Sequence, residues 1–177
     1  MAEKLSGVRI ASLVEAAFED NELWYPTYFV RSLGAEVPLI GPAAGASYQG
    51  KHGVPATAEL DFDALDPERF QGVLIPGGWA PDKLRRDPRV NSFVRAMHEA
   101  GKLVAFICHG GWVPISAGIC RGRTVTSTPA IRDDLVNAGA EWVDRETVVD
   151  GHVITARKPD DLPAYGNAIR DWLRQRA

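Results

Sequence analysis

Short β-rich runs alternate with helical patterns along this chain, and that alternation constrains the fold more than any other feature. "VRIASLV" (Val8 to Val14), "EVPLIG", "GVLIPGG" (Gly72 to Gly78) and "KLVAFI" (Lys102 to Ile107) read as strands. In "DNELWYPTYFVRSLGA", Leu23, Trp24, Phe29, Val30 and Leu33 give a helical face, with Gly34 as C-cap and Pro26 expected near the first turn. "PDKLRRDPRVNSFVRAMHEAG" supplies helix through Val90, Phe93, Val94 and Met97, and "GWVPISAG" and "AIRDDLVNAGA" supply two more. "DDLPAYGNAIRDWLRQRA" predicts an amphipathic helix capped by Asp160 or Asp161. "TVVDGHVITA" predicts a hairpin turning at Asp150-Gly151, and the glycine-spaced stretch from Gly41 to Leu60 a hairpin or irregular excursion. Strands alternating with helices imply an α/β fold, a mainly parallel sheet covered on both faces, within one domain spanning 1–177.

The bulk properties narrow the partners. A net charge of −3 gives no electrostatic ground for nucleic acid or an anionic membrane, and the basic cluster from Lys83 to Arg89 is broken by Asp87 and Pro88, as on a solvated helix face. No apolar run approaches the roughly 20 residues that cross a bilayer. The start, "MAEKLSGVRI", holds acidic Glu3 and lacks the apolar core of a secretory signal. Two cysteines, Cys108 and Cys120, make a poor disulfide framework and no zinc spacing, so free thiols in a reducing cytoplasm and no metal are expected.

Chemistry concentrates at "KLVAFICHGG". Cys108 follows a buried strand directly, and in open α/β sheets ligands bind beyond the carboxyl ends of the strands. Gly110 and Gly111 let the chain bend sharply into a helix, which is the logic of a nucleophile elbow. A helix N-terminus is expected to lower the thiol pKa, with His109 as base or cationic partner. The competing reading is a thiol packed at the end of a core strand, and the glycine break favours the reactive one. Cys120 lacks that setting. At the same sheet edge "IPGGWAP" ends another strand, and the Gly77 and Gly78 amides offer either an oxyanion site or a tight turn. Glu19, just after the first strand, is either a carboxylate near Cys108 or part of an N-cap cluster with Asp20 and Glu22; the residues by themselves favour the cap.

Taken together, "FEDNELWYP", "GKHG", "LIPGGWAPDKLR", "GKLVAFICHG", "ISAGICRGRTVTSTPAIRDDLVNAGAEWVD" and "VVDG" resemble, in order and over nearly the whole chain, the PfpI-type branch of the PfpI/ThiJ superfamily, relatives of class I glutamine amidotransferases. The resemblance implies a flavodoxin-like three-layer sandwich without cofactor. It implies Cys108 as nucleophile, His109 as its adjacent histidine, and Glu19 as the carboxylate bonding the sulfur, in place of the cap. Such a Glu19 would have to be protonated to favour a thiolate. The resemblance also implies a homo-oligomer, dimer or hexamer, in which Asp82 reaches a neighbouring subunit's site, one methylene shorter than the family's usual glutamate. Gly111 stands where relatives often carry proline and Thr128 where they often carry tyrosine, and Trp79 and Trp112 are placed to refill that space. The implied activity is conversion of 2-oxoaldehydes or removal of glycation adducts. The alternatives are peptide or amide hydrolysis, isocyanide hydration, or a non-catalytic stress sensor oxidised at Cys108.

Overall fold

Period-two alternation along the strands builds this fold, sending neighbouring side chains to opposite faces of one sheet. The computed structural model describes residues 5–176; residues 1–4, with the Glu3 weighed above, and 177 lie outside the described residues. The strands are β1 (Ile10–Leu13), β2 (Leu39–Gly41), β3 (Ser47–Gln49), β4 (Pro55–Thr57), β5 (Leu60–Asp61), β6 (Gly72–Ile75), β7 (Leu103–Ile107), β8 (Thr124–Val125), β9 (Glu141–Trp142), β10 (Thr147–Asp150) and β11 (Val153–Ala156). The helices are α1 (Asp20–Ser32), α2 (Ala80–Leu84), α3 (Pro88–Glu99), α4 (Trp112–Ala117), α5 (Arg132–Asn137) and α6 (Leu162–Arg174). Seven strands pair in the order β10-β11-β7-β6-β1-β2-β5, all parallel except the β10–β11 edge hairpin.

Val104 and Phe106 of β7 join Val73 and Ile75 of β6 against α3, α4 and α5, where Phe93, Met97, Val113 and Leu135 are buried. Leu103, Ala105 and Ile107 face the other way, onto α6 and the C-terminal end of α1, meeting Tyr165, Ile169 and Val30. Continuous burial on both faces is what a parallel sheet demands. The result is the flavodoxin-like three-layer sandwich expected from the sequence. No helix among the described residues is long and apolar enough to cross a membrane.

The structure corrects four local expectations. Pro26 lies in the middle of α1, not near its first turn, because the helix already starts at Asp20; its missing N–H leaves the Glu22 carbonyl without the usual helical donor. The stretch after Ala80 is two helices, not one: Pro88 cannot continue α2, and Asp87 caps α3 by accepting from Arg89 N at 2.9 Å. Neither Asp160 nor Asp161 caps α6 with its side chain; the Asp161 carboxylate is held by Arg157 at 2.9 Å. Because Asp150 pairs with Val153, the β10–β11 turn is made by Gly151 and His152. The glycine-spaced stretch contains the β3–β4 hairpin.

Candidate active site

Three adjacent strands, β7, β6 and β1, end side by side, and the segments that leave their carboxyl ends build one cavity of about 330 Å³. Its lining includes Cys108 and His109 from the β7 end, Gly78 and Trp79 from the β6 end, and Glu19 and Glu22 from the segment after β1. The β1 and β6 segments are stitched together by Trp79 N donating to Ala17 O at 2.8 Å and Glu19 N donating to Gly77 O at 3.2 Å.

Cys108 has φ of +58, in the left-handed region that side chains other than glycine rarely occupy. Together with the tight 3-10 turn from Cys108 to Gly111, this aims the sulfur out of the strand instead of into the core, so Cys108 is half-buried. Gly110 serves the bend by closeness: a Cβ there would stand 2.7 Å from Ile75 O. It does not line the cavity.

The carboxyl group beside the sulfur belongs to Glu22, not Glu19. Glu22 is buried on the inner face of α1, and its Oε2 accepts the Gly77 N–H at 2.9 Å. A Cβ on residue 77 would lie 2.3 Å from that oxygen and 2.8 Å from Cys108 Cβ, so only glycine lets the acid and the thiol meet. Their side chains interact, although Oε1 makes no hydrogen bond of good geometry, which marks the contact to sulfur as looser than the one to Gly77. Glu19 is the α1 N-cap: its carboxylate accepts from Glu22 N at 2.9 Å and stands 3.6 Å from His52. The reading from the residues by themselves was right, and the resemblance placed the role one helical turn too early. A glutamate on the buried face of a helix, in step with Pro26, is a rare placement for a charged side chain and was the signal for Glu22.

Electrostatics in the cavity run opposite to the low thiol pKa expected from a helix N-terminus. Burial first, then the charge of Glu19, raises the Glu22 carboxyl from 4.5 to about 8, against the Gly77 N–H, Cys108 and Lys51. Burial first, then the charge of Glu22, raises the Cys108 thiol from 9.0 to about 12, although the His109 and Gly78 amides bond the sulfur and pull the other way. A six-residue helix behind a 3-10 turn offers little dipole against that desolvation. Acid and thiol thus keep both protons at neutral pH, and the pair gives up its first proton near pH 8. His109 Nδ1 stands 3.4 Å from Sγ; burial first, then Lys51, lowers its pKa, so it is a neutral imidazole near pH 7, not a cation.

The other expected residues divide. Trp79 lines the cavity, is 56% exposed and packs on His109 at 5.5 Å, and Thr128 lines the wall. Trp112 packs behind His109 at 5.1 Å and is outside the lining. The Gly77 amide is committed to Glu22 and so is no oxyanion donor, whereas the Gly78 and His109 amides face the Cys108 sulfur. Asp82 pairs with Arg86 and does not line its own chain's cavity. Lys51, His52 and Pro159 line it and were not singled out from the sequence. A second cleft of about 270 Å³, by Trp172 and Arg176, is lined by no cysteine, histidine or carboxylate. Among the described residues no three His, Cys, Asp or Glu side chains form a group that could hold a metal ion.

Replacing Glu19 with alanine is expected to cost about 1 kcal/mol of stability by removing the cap. It should also move the first deprotonation of the Glu22–Cys108 pair to lower pH, because a negative neighbour is lost. A urea midpoint and a pH series of Cys108 alkylation read the two effects separately.

A left-handed cysteine at a strand end, facing a buried acid across a glycine, is now joined by a sequence match. The family model described as DJ-1/PfpI matches residues 8–171. The chain belongs to the DJ-1/PfpI family. Among curated relatives, Deglycase PH1704 of Pyrococcus horikoshii is 44% identical over 95% of this chain and 96% of its own length. Protein/nucleic acid deglycase 2 of Escherichia coli is 43% identical over 94% and 96%. Among solved structures, a two-domain Anabaena variabilis protein with DJ-1/ThiJ/PfpI-like and ferritin-like domains superposes with a TM-score of 0.92 at 40% identity. The match covers 94% of this chain and 48% of that one, so the present chain spans about half of it.

Proposed function

We propose that this DJ-1/PfpI chain is a cofactor-free enzyme of the deglycase type, in which the Cys108 sulfur attacks the carbonyl of 2-oxoaldehydes or of their early adducts. The observation that carries this is the meeting of Cys108, Glu22 and two sulfur-facing amides in one open cavity. The names of the relatives support the same chemistry.

Each step follows from the groups present. The sulfur forms its bond to the aldehyde carbon while protonated Glu22 takes the thiol proton on one oxygen and passes its own proton to the carbonyl oxygen, giving a hemithioacetal. Neutral His109, 3.4 Å from Sγ, is placed to take the hydrogen of that carbon as a proton and return it to the neighbouring carbonyl carbon. The product of that transfer is a thioester bearing a hydroxyl. Water cleaves it, releasing a 2-hydroxy acid and the thiol. One water is added overall, with no oxidant or reductant consumed. The Gly78 and His109 amides face the charge that develops near the sulfur.

A cavity of about 330 Å³ suits a small carbonyl compound better than a peptide chain. Asp82 lies outside its own cavity, so its proposed role requires a second copy of the chain, with the site near a dimer or hexamer interface. The free thiols Cys108 and Cys120 suit the reducing cytoplasm as the proposed location.

The test is a panel of methylglyoxal, glyoxal, a fluorogenic peptide and an isocyanide, assayed without added cofactor. Methylglyoxal should yield lactate mole for mole. Peptide cleavage without aldehyde turnover would overturn the reading in favour of a peptidase.

A further inference from the structure

We propose that Lys51, held at the mouth of the Cys108 cavity by a loop that the Asp20 carboxylate clamps, selects substrates carrying an anionic group, such as 2-oxoaldehydes with a carboxylate. The proposal rests on Cys108 as the nucleophile and adds a substrate class and two residues to it.

The clamp is built from a buried acid. Asp20 opens α1 and is 5% exposed. Its two oxygens are spent on the chain 32 and 34 residues away: Oδ2 accepts His52 N and Oδ1 accepts Val54 N, each at 2.8 Å. The loop they hold is tightly folded, with Gly50 N on Val54 O at 2.9 Å and Gly53 N on Gly50 O at 3.0 Å. Its approach is close enough that a Cβ on residue 50 would lie 2.5 Å from Asp20 Oδ1. Lys51 N donates to Phe18 O at 2.7 Å, which ties the base of the lysine to the segment carrying Glu19 and Glu22. A helix-starting aspartate that only capped would bond its own first turn; this one fixes a distant loop instead.

That loop puts two basic side chains in the cavity lining with Cys108. His52 stands 3.6 Å from Glu19, which already caps α1. Among the described residues no carboxylate comes within 4.0 Å of the Lys51 nitrogen, while Lys83, outside the lining, has Glu15 at 3.9 Å. Glu22 keeps its proton and His109 is neutral near pH 7. The Glu19 carboxylate is engaged by the Glu22 N–H and lies beside His52, which leaves Lys51 as the cation whose charge acts on both Glu22 and His109. An anionic substituent on an incoming carbonyl compound would meet that charge as its reactive carbon reached the sulfur.

The experiment compares alkylation of Cys108 by iodoacetate and by iodoacetamide, reagents of similar shape that differ by one charge. In both, the sulfur lone pair forms the S–C bond as C–I breaks, iodide leaves, and the thiol proton passes to solvent. The rate ratio of charged to neutral reagent is measured on the whole protein by mass spectrometry, with glutathione as the unstructured reference. The wild-type ratio should exceed that of glutathione by about three- to tenfold at low salt and collapse toward it near ~1 M salt. Lys51→Met should bring the ratio down to the glutathione value, and Lys51→Glu below it. Asp20→Asn should lower it too, because the loop is released; a merely structural loosening would change both rates and leave their ratio alone. If Asp20→Asn loses the native circular-dichroism spectrum, the two Lys51 variants carry the test. A wild-type ratio equal to that of glutathione, or one that Lys51→Met leaves unchanged, overturns the proposal while Cys108 remains the nucleophile. Failure of both reagents to label Cys108 overturns the nucleophile as well.

Discussion

The Cys108→Ala variant is expected to lose methylglyoxal turnover by about a thousandfold or more, to the background of the uncatalysed reaction. The sulfur forms the only covalent bond to substrate in the proposed cycle, and the other thiol cannot stand in, since Cys120 is 3% exposed and packs in the core. The fold should survive. The site is half-buried, and alanine meets the same φ of +58 with no larger side chain to place. Lactate formation by the variant and the wild type, with matched thermal melts, is the measurement. Turnover retained in a folded Cys108→Ala protein would remove the covalent mechanism entirely.

Glu22→Gln is expected to lower kcat/KM by about a hundredfold, at the lower end of what a positioned proton acceptor contributes. The pH dependence separates this from a packing defect. In the wild type the acid–thiol pair loses its first proton near pH 8, so Cys108 alkylation should be slow at pH 6 and climb through about pH 8. With glutamine that inflection should vanish, leaving only the rise that belongs to the thiol itself. Stability should respond in a matching sense. An acid raised from 4.5 to about 8 keeps in the folded state a proton that the unfolded chain has released. Stability contributed below pH 4.5 is therefore lost as pH rises toward 8, and the glutamine variant should show a flatter curve across that window. A wild-type alkylation rate independent of pH between 6 and 9 would contradict the assigned pair.

How much of this was legible beforehand depended on the range of the interaction. The layered fold follows from local periodicity, and "KLVAFI" followed by Cys108, His109 and two glycines announces a strand ending in a bend. Cys108 was legible for the same reason, since one segment sets its position at the sheet edge. The acid was harder. Glu19 and Glu22 both begin α1, and only the meeting of α1 with the β6 turn decides which one faces the sulfur. Capping geometry answered half of that question locally and placed Glu19 correctly. The thiol pKa was misjudged because a helix N-terminus can be seen in sequence, whereas burial and a charged neighbour some 86 residues away cannot. Lys51 was missed for a similar reason: its place in the cavity depends on Asp20 holding the loop across 32 residues.

The left-handed backbone of Cys108 also bears on how such a protein can be engineered. Glycine alone would relax that angle, by about 1 kcal/mol or more, and glycine has no sulfur. Folding and chemistry therefore ask for different amino acids at one position. A library ranked by heat resistance and never by turnover would enrich Cys108→Gly, and its hardiest members would be inert.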